Sequence, residues 1–371
     1  MWWRLVDTTQ IRWAANGIIE SAIKSNTGII ESMLEKPELK DEEIINCLRN
    51  EFGLSVENIS FLPLGADRNT SVYHVVANDG TVYFVKLRRG DLNKASIMVP
   101  KYLSDQEIKW IIPSITTQNG QLWANIDPFK VILYPFIEGH NAFEEHLSYQ
   151  QWIEFGTTLK QFHSANIPLA ITGNIQREIF SPHWRDKVML FLDRIEKEKF
   201  DEPLAAELAI FLKNKKKETF KLVERSEWLA QKLEEQLPEF ILCHADIHGW
   251  NLLIDSDGEL FIVDWDTLIF APKERDLMFI GGGFGDSGYT PQEEETMFYK
   301  GYGPIKINQR AIAYYRYECI IEDIAIYCEQ ILLSYQEGED RKQALIYLKS
   351  NYLPNSTIER AYESDQALND S

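Results

Sequence analysis

The sequence predicts an α+β fold in two lobes: a small, mainly antiparallel β lobe followed by a larger, mainly helical lobe. Three observations predict it. Hydrophobic residues alternate in short runs through residues 59–137 and recur at helical spacing over most of the chain beyond. A single β-like island, residues 240–265, interrupts the helical part. The chain of 371 residues is long for one hydrophobic core and natural for two.

Taken in order, residues 1–27 carry Trp2, Trp3 and Trp13 but no basic stretch leading into an apolar run, so they do not read as a secretory signal. Met33 stands just before a helix-like start: Pro37, then acidic residues, then Ile44, Ile45 and Leu48 at helical spacing. The expected division is a dispensable extension over 1–32, the β-rich lobe over 33–137 and the helical lobe over 138–371. Strands are expected at 59–64, 71–76 and 82–87, with Asn78-Asp79-Gly80 as a hairpin turn. A helix near 94–103 is interrupted by Pro100. Two further strands, 111–116 and 121–126, flank the turn at Gln118-Asn119-Gly120, and 130–137 closes the lobe.

Glu138-Gly139-His140 breaks the β pattern. Trp152, Phe155, Leu159 and Phe162 then form one apolar helical stripe, with His163 as a packed histidine at its end. Further helices are expected at 184–197, 204–212, 220–236, 292–301, 309–333 and 341–348. A β lobe joined to a helical lobe by a short connector leaves a cleft, a usual place for a ligand.

Hydrophobic residues at 44% and charged residues at 26% are the ordinary mix of a globular protein. The net charge of −19 disfavours nucleic acid and anionic membrane surfaces and favours a cationic small molecule, although simple solubility explains it too. Cys47, Cys243, Cys319 and Cys328 form no metal-ligand or CxxC spacing, which fits a reducing cytoplasm. No apolar run approaches the ~20 residues that span a bilayer. A soluble, cytoplasmic protein is expected, with a monomer as the favoured state.

Chemistry concentrates in His244-Ala245-Asp246-Ile247-His248-Gly249-Trp250-Asn251, an apolar strand, and Asp264-Trp265-Asp266. Asp257-Gly258 reads as a two-residue hairpin loop. Counting outward from it sets Asp255 against Leu260 and Asn251 against Asp264. Directly opposed residues have Cβ atoms about 4.5–5.5 Å apart. An amide oxygen beside a carboxylate suits Mg²⁺, which takes one or two protein oxygens together with phosphates and water. Asp246, on the loop leading in, is suited to accept or orient the proton of an attacking hydroxyl. A plain surface hairpin with solvated acids is the bland alternative; the full constellation favours phosphoryl transfer.

This constellation resembles the catalytic segment of the aminoglycoside phosphotransferase and choline kinase superfamily, whose fold is protein-kinase-like. Asp264-Trp265-Asp266 stands where protein kinases carry Asp-Phe-Gly, and Ala271-Pro272-Lys273-Glu274-Arg275-Asp276 is similar to the continuation in antibiotic kinases, the spectinomycin phosphotransferases above all. The resemblance runs from about Met33 through Asp323. It implies Asp246 as catalytic base and Asn251 and Asp264 as Mg²⁺ ligands. It implies Lys86 at the α- and β-phosphates of ATP or GTP, a solvated strand-end lysine being the alternative. Tyr134, Pro135, Phe136 and Ile137 would form a connector facing adenine, with Leu253 and Val263 beneath it.

The sequence also departs from the pattern. Only Gly65 stands where a glycine-rich phosphate loop is expected. No glutamate lies between Lys86 and Glu107; Asp91 and Asp105 are the available acids, and Asp91 is the expected partner of Lys86. Trp250 either covers the substrate side of the cleft or simply packs. His248 either reaches a γ-phosphate or is structural. The glycines at 281–285 do not precede a P-loop lysine and read as a loop near the substrate. Asp266, Glu322 and Asp323 are the acids expected to meet amines of the acceptor. The implied acceptor is an aminocyclitol or aminoglycoside antibiotic of the spectinomycin kind; a kinase of an amino alcohol or sugar and a nucleotide-binding pseudokinase are the alternatives.

Overall fold

The computed structural model describes residues 36–63, 69–284, 287–333, 339–354, 356–366 and 368. The expected extension over 1–32 and Gly65 lie outside the described residues. Helix α1 (Asp41–Phe52) opens with Asp41, Glu42 and Glu43, whose charges suit the helix N-terminus, and closes on Gly53 in the left-handed conformation at φ 71°. It covers one five-stranded antiparallel sheet of order β1-β2-β3-β5-β4: β1 (Val56–Leu62), β2 (Thr70–Ala77), β3 (Val82–Arg89), β4 (Ala124–Ile126) and β5 (Phe129–Pro135). Ile44 and Leu48 of α1 join Tyr73, Val75, Val85, Leu87, Val131 and Leu133 in a core of their own.

Helix α2 (Ala95–Asp105) runs through Pro100 instead of breaking there. Its Ala95, Val99 and Leu103 belong to the second, larger core, that of the helical lobe. Burial outweighs the hydrogen bond that proline removes. The expected strand at 111–116 is reduced to single bridges, Ile111 to Ile262 and Ile115 to Leu133.

Beyond β5 the chain forms β6 (Gly139–Asn141), α3 (Tyr149–Ser164), the short α4 (Leu169–Thr172), α5 (His183–Lys197) and α6 (Pro203–Glu235). A capping box between Ser148 and Gln151 starts α3. The two helices expected at 204–212 and 220–236 are one helix of 33 residues. The polar run between them contains no glycine or proline, so nothing stops the backbone hydrogen bonds. Then come β7 (Ile241–Cys243), β8 (Leu252–Asp255), β9 (Leu260–Ile262), β10 (Ile269–Ala271), α7 (Glu274–Leu277), α8 (Pro291–Tyr302), α9 (Gln309–Leu333), α10 (Glu339–Ser350) and α11 (Thr357–Gln366). No helix was expected from the sequence pattern where α11 stands. Strands β6, β8 and β9 form one small sheet and β7 pairs with β10, both beneath the cleft. No described helix is long and apolar enough to cross a membrane.

Helices α3 and α8 approach closely because Gly156 and Gly301 face the partner's backbone: a Cβ at Gly156 would meet the carbonyl oxygen of Phe298, and one at Gly301 that of Ile153. Trp152, Phe155 and Phe298 fill the space beside this contact, all fully buried. Gly156→Ala is therefore expected to destabilise the protein by about 2 kcal/mol through overpacking, read as a lower urea midpoint with an unchanged slope.

Candidate active site

Strand β7 delivers the chain to His244, where the backbone must turn. Ala245 adopts φ 69°, a strained conformation for a residue with a Cβ. The turn is held from below by Asp276 of α7, whose carboxylate accepts from the N–H of His244 at 2.9 Å and of Ala245 at 2.6 Å. Asp276 is wholly buried and also receives His163 Nε2 at 2.8 Å, while His163 Nδ1 lies 2.8 Å from the Tyr302 hydroxyl. Burial alone would raise the Asp276 carboxyl, yet His163 and the loop N–H groups hold it below the usual carboxylate value. His244 donates Nε2–H to the Val263 carbonyl at 3.0 Å, and Thr267 Oγ1 donates to the His244 carbonyl at 2.7 Å. The loop is thus tied both to α7 and to the end of the following hairpin.

Asp246 projects from this loop and is 4% exposed. Asn251 Nδ2 donates to its main-chain oxygen at 2.9 Å and to Oδ2 at 3.1 Å, and His248 Nε2 lies 3.2 Å from Oδ1. Burial opposes ionisation of Asp246, and the His248 ring beside it acts against burial, favouring the carboxylate. His248 is itself buried against Asp246.

The hairpin register differs by one residue from that counted in the sequence. Ile254 faces Leu260, Leu253 faces Phe261 and Leu252 faces Ile262, so the loop has three residues and closes on Gly258 at φ 80°. The Val263 N–H donates to the Asn251 carbonyl at 3.0 Å. Asn251 therefore stands opposite Val263, and Asp264 is one residue further on, in the left-handed region at φ 60°. Leu252, Ile254, Leu260 and Ile262 are buried in the lobe, whereas Leu253, Phe261 and Val263 alternate with them and are only half-buried.

From above, β3 brings Lys86 to Asp266, with Nζ 2.7 Å from Oδ2. Asp266, expected at the acceptor, is the partner that Asp91 was expected to be; Asp91 lies exposed just beyond β3. The reason is topological: Asp266 follows the αL turn at Asp264 and so comes under β3, while Asp91 follows Gly90, where the chain leaves the sheet. Burial disfavours the Lys86 charge, but Asp266 and then Asp264 push its pKa above the ordinary lysine value. A cavity of about 70 Å³ opens here, lined by residues that include Lys86, Ile132, Tyr134 and Asp266. In the connector, Pro135 has no N–H and Phe136 donates its own to the Val82 carbonyl at 3.2 Å. Trp250 lies beside Phe143, with ring centroids 5.3 Å apart. On α9, Asp323 is buried and Glu322 half-buried. Burial pushes the Glu322 carboxyl up to about 7; Arg275 opposes this, and Asp323 and Asp246 add to it.

Asp276 was legible in the sequence only as part of a motif. Its spacing from His244 carries no local signal, since the contact spans 32 residues. His163 is more than a packed histidine for the same reason. With Cys243 these two bring ligand-type atoms within 4.8 Å of one another, but the group does not suit a metal ion. Burial raises the Cys243 thiol well above its ordinary pKa, its sulfur sits 3.5 Å from the Pro272 carbonyl, and both Asp276 oxygens are already used. Asp276→Asn would set an NH₂ against a loop N–H in a buried place, and is expected to cost about 3 kcal/mol, measured by urea unfolding, with loss of turnover.

Residues 60–302 match the phosphotransferase enzyme family. The chain is similar to the solved structure of spectinomycin phosphotransferase APH(9)-Ia in complex with ADP and spectinomycin: 35% identity, a TM-score of 0.82, 89% of this chain and 100% of that one covered. The AMP-bound complex of the same enzyme gives 34% identity and a TM-score of 0.78, covering 87% and 98%. A curated relative, Protein ACTIVITY OF BC1 COMPLEX KINASE 3, chloroplastic, of Arabidopsis thaliana, is 26% identical over 250 residues, 66% of this chain. The match spans about a third of that relative's length (32%). With Asp246, Asn251 and Asp264 gathered at one hairpin below Lys86, the chain belongs to the phosphotransferase enzyme family, with a small-molecule hydroxyl as acceptor.

Proposed function

We propose that the enzyme transfers the γ-phosphate of ATP, or of GTP, to a hydroxyl of a cationic aminocyclitol or aminoglycoside antibiotic, with spectinomycin as the first candidate. The observation that carries this reading is a half-buried carboxylate, Glu322, within electrostatic range of Asp246 on the side that α9 borders. An acceptor hydroxyl at Asp246 would bring its amines to Glu322 and Asp323. Similarity to an enzyme crystallised with spectinomycin supports the same choice.

In this reading Asp246, ionised and pinned by His248 and Asn251, accepts or orients the proton of the attacking hydroxyl. His248 then acts on Asp246 and not on a γ-phosphate. Lys86 meets the α- and β-phosphates. Gly65 would belong to the loop above them. The N–H of Ile137 is the donor the connector has to offer adenine, because Pro135 lacks one and that of Phe136 is used. Leu253 and Val263 form the floor. Trp250, tilted against Phe143, borders the acceptor.

The donor set fits Mg²⁺. The Asn251 NH₂ is committed to Asp246, which leaves its amide oxygen, and Asp264 is the next residue across the hairpin. Two protein oxygens with phosphate and water make an ordinary Mg²⁺ site. When bound, the ion would neutralise charge on the transferred phosphoryl group.

Two outcomes test the proposal. A coupled nucleotide-consumption assay over spectinomycin, amino alcohols and sugars is expected to respond to spectinomycin. Asp246→Asn should lower kcat by about 10²–10⁴-fold and leave nucleotide affinity near native. Turnover with an amino alcohol or sugar but not spectinomycin would remove the antibiotic and keep the kinase; nucleotide binding without any turnover would point to a binding module. The second outcome concerns pH. Glu322 has a carboxyl raised to about 7, so it is charged above that pH and neutral below it. KM for a permanently cationic acceptor analogue should therefore rise as pH falls through 7, and Glu322→Gln should flatten that dependence.

A further inference from the structure

Lys86 is held by a carboxylate from an unexpected quarter. Helix α2, the next helix after β3, carries one acid, Asp105; it sits at the last position and pairs with Lys101. The carboxylate that reaches Lys86 is that of Asp266, on the 3₁₀ turn Trp265–Thr267 of the helical lobe. The start of α2 fastens on Asp266 instead of on Lys86. Asn93 Nδ2 donates to the Asp266 main-chain oxygen at 3.3 Å, and the Ser96 hydroxyl donates to the Asn93 carbonyl at 2.8 Å. Arg88, two residues beyond Lys86 on the same face of β3, adds positive charge nearby. Ala95 and Val99 of α2 are buried in the larger core, so the helix packs with the helical lobe.

We infer that Asp266 is the positioning residue for Lys86, and that Asn93, itself tied to Ser96 of α2, anchors Asp266 there. The inference rests on the reading that Lys86 meets nucleotide phosphate. An ammonium has three N–H donors. One on Asp266 leaves two for phosphate oxygens, so the ion pair and the nucleotide need not compete. A lysine on its four-carbon stem has many rotamers. Holding it before the nucleotide arrives shifts the ordering cost from binding to folding. Asp266 suits this role because its own backbone is fixed on both sides, by Asn93 and by the turn that begins at Asp264. The arrangement also ties the lobes together at the point where phosphate would sit, since Lys86 comes from the sheet and Asp266 from the helical lobe.

The test is a double-mutant cycle with the dissociation constant of ADP–Mg²⁺ as readout. Lys86→Ala and Asp266→Asn are each expected to weaken binding by about tenfold. The double variant should be no weaker than Lys86→Ala alone, because Asp266 acts only through Lys86. Asp105→Asn, the acid on α2, should bind as the native protein does, and melting temperatures report whether each variant is folded. Asp266→Glu should recover part of the affinity. Native-like or tighter binding by Asp266→Asn, with Lys86→Ala weakened, overturns the positioning role and leaves the nucleotide reading intact. So does full additivity in the double variant, which would mark Asp266 as generally structural. Native affinity in Lys86→Ala overturns both.

Discussion

Asp276 is buried, charged and shared by three donors: the successive backbone N–H groups of His244 and Ala245 and the ring of His163. An unpaired buried carboxylate would cost several kcal/mol, so the site exists only because the loop and α3 converge on it. In return Asp276 holds Ala245 in a left-handed turn that a residue with a Cβ does not adopt freely. That turn aims Asp246 away from the chain direction set by β7. The contact between α3 and α8 at Gly156 and Gly301 sits behind His163 and Tyr302, and closes the packing on which the clamp relies.

Above this base, polar contacts pass from one residue to the next. Asn251 and His248 fix Asp246; the Asn251 carbonyl pairs with Val263; His244 also bonds Val263. Asp264 comes next, then Asp266, then Lys86 across the cleft. Each side chain is oriented by one whose position is set by backbone hydrogen bonds. Phosphoryl transfer asks a protein chiefly for such positioning and for charge neutralisation.

The two lobes and most of their elements were legible because they depend on local signals. Periodicity located β3, α3 and α9, and Asn78-Asp79-Gly80 located the β2–β3 turn. Local rules failed where tertiary contacts decide. Pro100 is tolerated because α2 is buried on both sides of it, and the Lys213–Lys217 run continues α6 because nothing breaks it. The hairpin register slipped by one because Gly258 closes a three-residue loop, and both loop lengths are compatible with Asp257-Gly258. That Asp246, Asn251 and Asp264 lie close together was legible because one short segment, a loop and the hairpin it enters, carries all three. The partner of Lys86 could not: 180 residues separate it from Asp266, and only the folded chain brings them together.

The most direct measurement is a ³¹P NMR spectrum of the enzyme with ATP, Mg²⁺ and spectinomycin. An antibiotic kinase built on Asp246 predicts ADP together with a new phosphate-monoester resonance that requires both the antibiotic and Asp246. Unchanged ATP, or ADP with free inorganic phosphate and no monoester, would contradict it.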